Sequence, residues 1–136
     1  MDIHEHAKLF VESNLALAVE MPAFVHREEK YSRYPIPSKV AGIYFIYTQN
    51  DKILCYIGET GDCIKSRISR HKRSMNEPNW KPERSGKKFV AAGLQDEVFV
   101  VKYIPAEKLN LKTKHDRLTA ESLFVTALKP VVYKDA

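Results

Sequence analysis

The sequence predicts a mixed α/β (α+β) domain, with a small central antiparallel sheet of three strands flanked by helices and an extra helix at the N-terminus. Three short runs, at residues 42–48, 53–58 and 97–104, are rich in β-branched and aromatic residues, as strands are. Segments with apolar residues at helical spacing precede, separate and follow these runs. The resulting order α, β, β, α, β, α suits a small sheet covered by helices.

Length and composition predict one globular domain. The chain has 136 residues, of which 44% are hydrophobic and 29% charged. No apolar run approaches the roughly 20 residues that a membrane-spanning helix needs, so we expect no membrane partner. The first residues lack the basic and hydrophobic stretches of a secretion signal. Cys55 and Cys63 are too few for a disulfide framework, and we expect reduced thiols in a cytoplasmic protein.

The N-terminal third predicts a helix and a connecting arm. Apolar residues recur at helical spacing over residues 3–20, and Asp2 can cap the start of this helix. Pro22 ends it, and residues 22–39 contain further prolines and no clear period, which favours a connecting arm. We therefore divide the chain into residues 1–40, which form the helix and the arm, and residues 41–136, which form the main domain.

The first two strands predict a β-hairpin followed by a helix. The polar residues 49–52 separate the runs at 42–48 and 53–58, as a hairpin turn does. Asp62 is then a suitable N-cap for a helix over residues 63–74. The buried face of this helix would contain Ile64 and Ile68, with either His71 or Met75.

The second half of the chain predicts a loop, a third strand and a last helix. Two prolines and a glycine make residues 76–88 a loop, and residues 89–94 form a short helix. The third strand ends at Pro105, and the last helix covers residues 115–128.

A basic segment between residues 65 and 88 indicates a polyanionic partner. It holds nine basic residues and only two acidic ones, in a chain whose net charge is +5. Such a concentration suits a nucleic-acid backbone, although a solvated charged surface is the common alternative. The candidate nucleic-acid-binding residues are Lys65, Arg70, Lys72, Arg73, Trp80, Lys81, Arg84, Lys87 and Lys88.

Glu121 is a candidate metal ligand. It falls within an apolar stripe of the last helix that is marked by Leu118, Val125 and Leu128. A carboxylate in such a position needs a partner, which could be a metal ion or, one turn away, Arg117. A single hard oxygen ligand suits Mg²⁺ or Mn²⁺.

Two tyrosines and a pair of basic residues are the remaining candidates for catalysis. Tyr44 and Tyr56 lie on the two hairpin strands, where tyrosine is also common as a packing residue. Arg67 and His71 are four residues apart on the predicted helix, where they could equally be part of an exposed basic face. Arginine can stabilise charge on a phosphate, and histidine can orient a hydroxyl group or donate a proton.

The tripeptides Gly42-Ile43-Tyr44 and Tyr56-Ile57-Gly58, followed by Arg67, His71 and Glu121 in this order, resemble the GIY-YIG nuclease family. The resemblance covers roughly residues 41–133. It implies the family's fold and a cleft into which both tyrosine hydroxyls point.

This resemblance also implies a mechanism. Tyr44 would activate or position the attacking water, Tyr56 would help to hold the water or the phosphate, and Arg67 would neutralise the phosphate. Glu121 would hold a single divalent metal ion, Mg²⁺ or Mn²⁺. The implied function is a DNA endonuclease whose products carry 5′-phosphate and 3′-hydroxyl ends. Because one active site cuts one strand, cleavage of both strands would need a homodimer or two events.

Two departures from the family pattern leave an alternative open. Arg67 falls one residue later than in many members, and Tyr133 occupies the position where the family usually has asparagine. The alternative is a non-catalytic nucleic-acid-binding module on the same scaffold.

Overall fold

The structure, a computed structural model, describes residues 2–20, 37–77, 79–83 and 85–132. In these ranges the helices are α1 (Ile3–Asn14), α2 (Ile64–Asn76), α3 (Ser85–Ala91) and α4 (Lys114–Leu128). The strands are β1 (Val19–Glu20), β2 (Gly42–Thr48), β3 (Leu54–Thr60) and β4 (Phe99–Pro105). The mixed α/β architecture with an antiparallel sheet and an N-terminal helix confirms the predicted fold class.

The sheet has four strands in the order β1-β4-β2-β3, and every neighbouring pair is antiparallel. The predicted sheet of three strands was one strand short. The predicted helix over residues 3–20 ends at Asn14, a short 3₁₀ turn follows, and β1 then pairs with Tyr103 and Lys102 of β4. This pairing joins segments far apart in sequence, so helical spacing near the N-terminus could not reveal it.

Alternating residues of β2 divide the core between the two faces of the sheet. Tyr44 and Ile46 belong to the cluster beneath α2 and α3, together with Ile64 and Ile68 of α2. The opposite face contributes residues such as Phe45, against which α1 and α4 pack. The ring of Phe124 on α4 meets Phe45 edge-on at 5.0 Å between ring centroids.

Helix α2 begins one residue later than predicted. Asp62 is not its N-cap, because the helix starts at Ile64 and Cys63 takes the cap position without a side-chain hydrogen bond. The Asp62 N–H instead donates to Thr60 Oγ1 at 3.2 Å. The predicted buried face is confirmed, with both His71 and Met75 buried in it.

The segment predicted as a loop over residues 76–88 is partly helical. Helix α2 extends to Asn76, and α3 covers Ser85–Ala91 rather than residues 89–94. The early start of α3 follows from its packing on α2, where Gly86 N–H donates to Ser74 Oγ at 2.9 Å. We call residues 77–83 the α2–α3 loop.

Helix α4 starts at Lys114, one residue earlier than predicted, and its buried face is rotated relative to the predicted stripe. Thr113 and Asp116 form a reciprocal capping box at its start. Leu118 is 39% exposed, whereas Glu121 and Phe124 are buried. The aromatic contact of Phe124 with the sheet sets the buried face, which includes Glu121 but excludes Leu118.

Some predictions fall outside the described residues. These are most of the connecting arm over residues 22–39, the basic residue Arg84, and Tyr133 at the position where the resemblance implies asparagine. Among the helices that the structure does describe, none has the length and apolar character needed to cross a membrane.

Candidate active site

Two glycines allow β2 to pack closely against β3 on one side and β4 on the other. In the β2–β3 register Tyr44 lies opposite Gly58, and a Cβ atom on Gly58 would lie 2.3 Å from the Tyr44 hydroxyl oxygen. A Cβ atom on Gly42, which has φ +154°, would lie 2.1 Å from the carbonyl oxygen of Ile104. Any side chain at Gly58 would therefore displace the phenol of Tyr44. The last residue of the first tripeptide and the last residue of the second are thus in direct contact.

Three aromatic rings form the centre of the site. Tyr44, Tyr56 and His71 are each at most 2% exposed. The two tyrosine rings stack with centroids 6.2 Å apart, and His71 meets Tyr56 edge-on at 4.5 Å. The predicted residues of the helix and the hairpin thus come together in one buried cluster. Both tyrosines are almost completely buried, whereas a tyrosine that packs on the surface of a strand is usually half-buried.

The Tyr44 hydroxyl is held by hydrogen bonds. It lies 2.6 Å from His71 Nε2, and the other ring nitrogen of His71, Nδ1, lies 2.6 Å from Ser85 Oγ. The Arg67 side chain lies beside this hydroxyl, where its charge opposes the rise that burial causes in the pKa of Tyr44. Tyr44, Arg67 and His71, which the sequence analysis identified separately, thus form one group around the Tyr44 hydroxyl.

Burial keeps both tyrosines protonated. It raises the pKa of Tyr44 far above its ordinary value, and Arg67 only partly opposes this effect. Burial likewise raises the pKa of Tyr56, to which the neighbouring Tyr44 adds. Neither phenol can therefore hold a stable negative charge at neutral pH, so Tyr44 can act as a base only if it passes its own proton to an acceptor.

Glu83 is a site residue that the sequence analysis missed. Its Oε2 lies 3.6 Å from Arg67 Nη2 and 3.9 Å from His71 Nδ1, and its Oε1 accepts a hydrogen bond from the Ser85 N–H at 3.1 Å. Burial alone would raise the pKa of Glu83, but His71, Ser85 and Arg67 together hold it below its usual value. In the sequence, Glu83 could be noticed only as an acidic residue within a basic segment. The sequence analysis included it in the charge of that segment and gave it no role.

Arg67 is half-buried beside these groups. Its side chain is 24% exposed, and its Nε is buried without a hydrogen-bond partner in the described part of the chain. Burial alone would lower the pKa of Arg67, but Tyr44 and Glu83 raise it. The guanidinium stays charged and retains donor capacity, so it can bind an anion at the edge of the site.

Glu121 lies near the same cluster, and its salt-bridge alternative is not realised. Arg117 donates from Nε to Glu59 Oε2 at 3.0 Å, which makes Glu59 rather than Glu121 its partner in the described structure. Glu121 is 8% exposed, and its charge raises the pKa of both Tyr44 and Tyr56. The Glu121 carboxylate is therefore close enough to both tyrosines to act on their pKa values.

The residues present fit a metal ion that is held mainly by water and phosphate. Glu121 is a buried carboxylate with contacts of its own, and its oxygens are the hard ligands that Mg²⁺ prefers. The described residues contain no group of three or more His, Cys, Asp or Glu side chains that could form a closed metal cage. A lone carboxylate is typical of Mg²⁺ sites, in which the ion keeps several waters and binds substrate phosphates.

The predicted nucleic-acid-binding residues divide between internal contacts and open surface. Arg70 Nη2 donates to the Pro82 carbonyl at 2.8 Å, and Arg73 pairs with Glu77 at 2.8 Å and lies over the Trp80 ring. Lys81 and Lys87 are exposed, and Lys65, Lys72 and Lys88 are partly exposed. Described residues of the α2–α3 loop are anchored on α2, whereas the sequence predicted only that this segment is a loop.

Comparison with known proteins adds one match. A family model described as the GIY-YIG catalytic domain matches residues 40–116. The matched range includes Tyr44, Tyr56, Arg67 and His71, and it ends before Glu121. No curated protein and no solved structure matches the chain.

Proposed function

Because the chain belongs to the GIY-YIG nuclease family, we propose that it is a divalent-metal-dependent endonuclease that hydrolyses phosphodiester bonds in DNA. The observation that carries the proposal is the Tyr44 hydroxyl, which lies 2.6 Å from His71 Nε2 and beside the Arg67 guanidinium. A buried tyrosine used only for packing also needs one hydrogen-bond partner, but it needs no cation beside its hydroxyl.

The contacts support an in-line hydrolysis in which protons move through Tyr44. As water attacks the phosphorus atom, Tyr44 Oη takes a proton from the water and passes its own proton to His71 Nε2. This transfer avoids a free phenolate, which burial strongly disfavours. Arg67 binds the non-bridging phosphate oxygens as their charge increases. The bond between phosphorus and the 3′ oxygen breaks, and this oxygen takes a proton from solvent water, which leaves 5′-phosphate and 3′-hydroxyl ends.

Glu121 is the residue that would hold Mg²⁺ or Mn²⁺. When bound, such an ion supplies a positive charge that stabilises the departing 3′ oxygen. Tyr56 packs against Tyr44 and His71, and we propose that its hydroxyl helps to hold the water or the phosphate.

The exposed basic residues support DNA as the substrate. Lys81 and Lys87 lie on the α2–α3 loop and α3, next to the helix that carries Arg67. Clustered basic side chains bind the phosphate backbone without reading base sequence. A homodimer that places two active sites on opposite strands remains a prediction, and so does the cytoplasmic location.

A plasmid-nicking assay tests the proposal. Supercoiled DNA should be converted to the nicked form with Mg²⁺ or Mn²⁺, and EDTA should stop the reaction. Tyr44→Phe, Arg67→Ala and Glu121→Gln should each remove cleavage, and gel shifts should show that these variants still bind DNA. Binding without metal-dependent cleavage by the unmodified protein would instead support the non-catalytic nucleic-acid-binding module.

A further inference from the structure

We propose that Glu83 and Ser85 are positioning residues that hold His71 in the tautomer with its proton on Nδ1, so that Nε2 can accept the proton of Tyr44. This inference rests on the proposed function for its catalytic meaning. The geometry itself can be tested without DNA or metal.

The donor and acceptor capacities of the groups set the direction of the hydrogen bonds. An ionised carboxylate only accepts hydrogen bonds, and a serine hydroxyl has one proton to donate. The Ser85 N–H donates to Glu83 Oε1 at 3.1 Å, so Ser85 lies against a carboxylate that can accept the proton of its hydroxyl. Ser85 Oγ then accepts from His71 Nδ1 across their 2.6 Å contact.

Electrostatics favours the same arrangement. Glu83 Oε2 lies 3.9 Å from His71 Nδ1, where its negative charge stabilises a proton on that nitrogen and the positive charge that His71 gains from Tyr44. An acid that orients a histidine, which in turn takes a proton from a hydroxyl, follows the logic of hydrolase triads. Here a serine lies between the acid and the histidine.

The backbone around Glu83 and Ser85 is fixed by contacts outside the aromatic cluster. Ser74 Oγ donates to the Glu83 carbonyl at 2.8 Å and accepts from the Gly86 N–H at 2.9 Å. A Cβ atom on Gly86 would lie 1.9 Å from the Ser74 carbonyl oxygen, so only glycine permits this approach. Glu83, at the end of the α2–α3 loop, and Ser85, at the start of α3, are thus held against α2 within reach of His71.

Nitrogen-15 NMR of histidine-labelled protein tests the inference directly. The spectrum is recorded without metal or DNA, and the His71 signals are identified by their loss in His71→Gln. We expect a neutral His71 ring with the proton on Nδ1 and an unprotonated Nε2. A wild-type ring with its proton on Nε2 would overturn the proposal, and this measurement needs no variant at Glu83 or Ser85.

Variants separate positioning from general support. Glu83→Gln and Ser85→Ala should shift His71 toward the Nε2-protonated form or the charged form. They should also lower the single-turnover cleavage rate about 10- to 100-fold without weakening DNA binding. Glu77→Gln is the control. Glu77 is an exposed glutamate of the same loop and pairs with Arg73, so its replacement should change neither the His71 signals nor the cleavage rate.

The outcomes distinguish the two proposals. If both variants fold and leave the His71 signals unchanged, the positioning role is wrong, whatever the cleavage rates are. If the wild-type protein shows the Nδ1 tautomer and both variants disturb it but no form cuts DNA, the positioning of His71 stands and the proposed nuclease activity fails.

Discussion

Gly58 packs directly against the phenol of Tyr44. A Cβ atom added at Gly58 would lie 2.3 Å from both Cζ and the hydroxyl oxygen of Tyr44. The final glycine of the second tripeptide and the tyrosine of the first therefore form one structural unit across two paired strands. The position of the hydroxyl relative to His71 depends on this contact.

Gly58→Ala should displace Tyr44 and disrupt the site. Because the phenol lies between β3 and His71, the added methyl group should cost about 1–3 kcal/mol of unfolding free energy and remove most cleavage. Urea denaturation and a nicking assay measure the two effects. Gly93→Ala is the control: it strains the backbone at φ +73° but meets no atom within 4 Å, so it should lose stability and keep its cleavage. Wild-type cleavage by Gly58→Ala would contradict the structural link.

Tyr44→Phe should separate chemistry from packing. The ring remains, but His71 Nε2 loses its partner at 2.6 Å, which should cost about 1–3 kcal/mol of stability. Cleavage should fall at least about 100-fold because the proton path is broken. Tyr47→Phe is the matched control, since Tyr47 belongs to the same strand but to the opposite core cluster. Equal cleavage by both variants would make Tyr44 a packing residue.

Glu121→Gln should abolish cleavage and leave DNA binding intact or tighter, because it removes a buried negative charge near the phosphate site. Cleavage rates measured across Mg²⁺ concentrations and gel shifts provide the test. Glu107→Gln, at an exposed position, should behave as wild type. Wild-type cleavage by Glu121→Gln at ordinary Mg²⁺ concentrations would remove Glu121 from the metal role.

Neutralising Lys87 and Lys88 together should weaken binding to all DNA sequences alike. Each lost phosphate contact releases about one fewer counterion, so the salt dependence of log K should become shallower by about two. Titrations across salt concentrations with two unrelated duplexes measure this slope. Replacing Lys8 and Lys114, which are also exposed but belong to α1 and α4, is the control. An unchanged slope would place the DNA contacts on α2 instead.

Glu83 should make stability depend on pH in the acid range. Burial alone would raise its pKa, but His71, Ser85 and Arg67 hold it below the usual value. A carboxyl group with a lowered folded-state pKa stabilises the fold above its unfolded pKa of about 4.3, and this stability is lost as pH falls through the folded-state value. The stability difference between wild type and Glu83→Gln should therefore be largest near neutral pH and shrink below about pH 4.

Urea denaturation at several pH values measures this stability difference, with Glu77→Gln as the control. A difference that does not change with pH would mean that His71, Ser85 and Arg67 do not favour the charged form of Glu83.

The elements that the sequence predicted well are those decided by local pattern. Strands β2 and β4 follow from runs of β-branched and aromatic residues, and the buried face of α2 follows from the spacing of Ile64 and Ile68. The two tripeptides, Arg67 and His71 were found because they stand in a recognisable order within one hairpin and one helix. Side-chain alternation and helical period act between near neighbours in the chain, so a sequence displays them directly.

The choice of partners was decided only by the tertiary structure. Arg117 has Glu121 one turn away, yet it pairs with Glu59, which is 58 residues distant. Val19 lies in a segment predicted to be helical, yet it joins the sheet by pairing with Tyr103 at the edge strand β4. Glu83 belongs by composition to a solvated basic segment, but the packing of Gly86 on Ser74 carries it inward to His71. The energy of a buried charge or an edge strand depends on what folds against it, and that information is spread over the whole chain rather than contained in any local pattern.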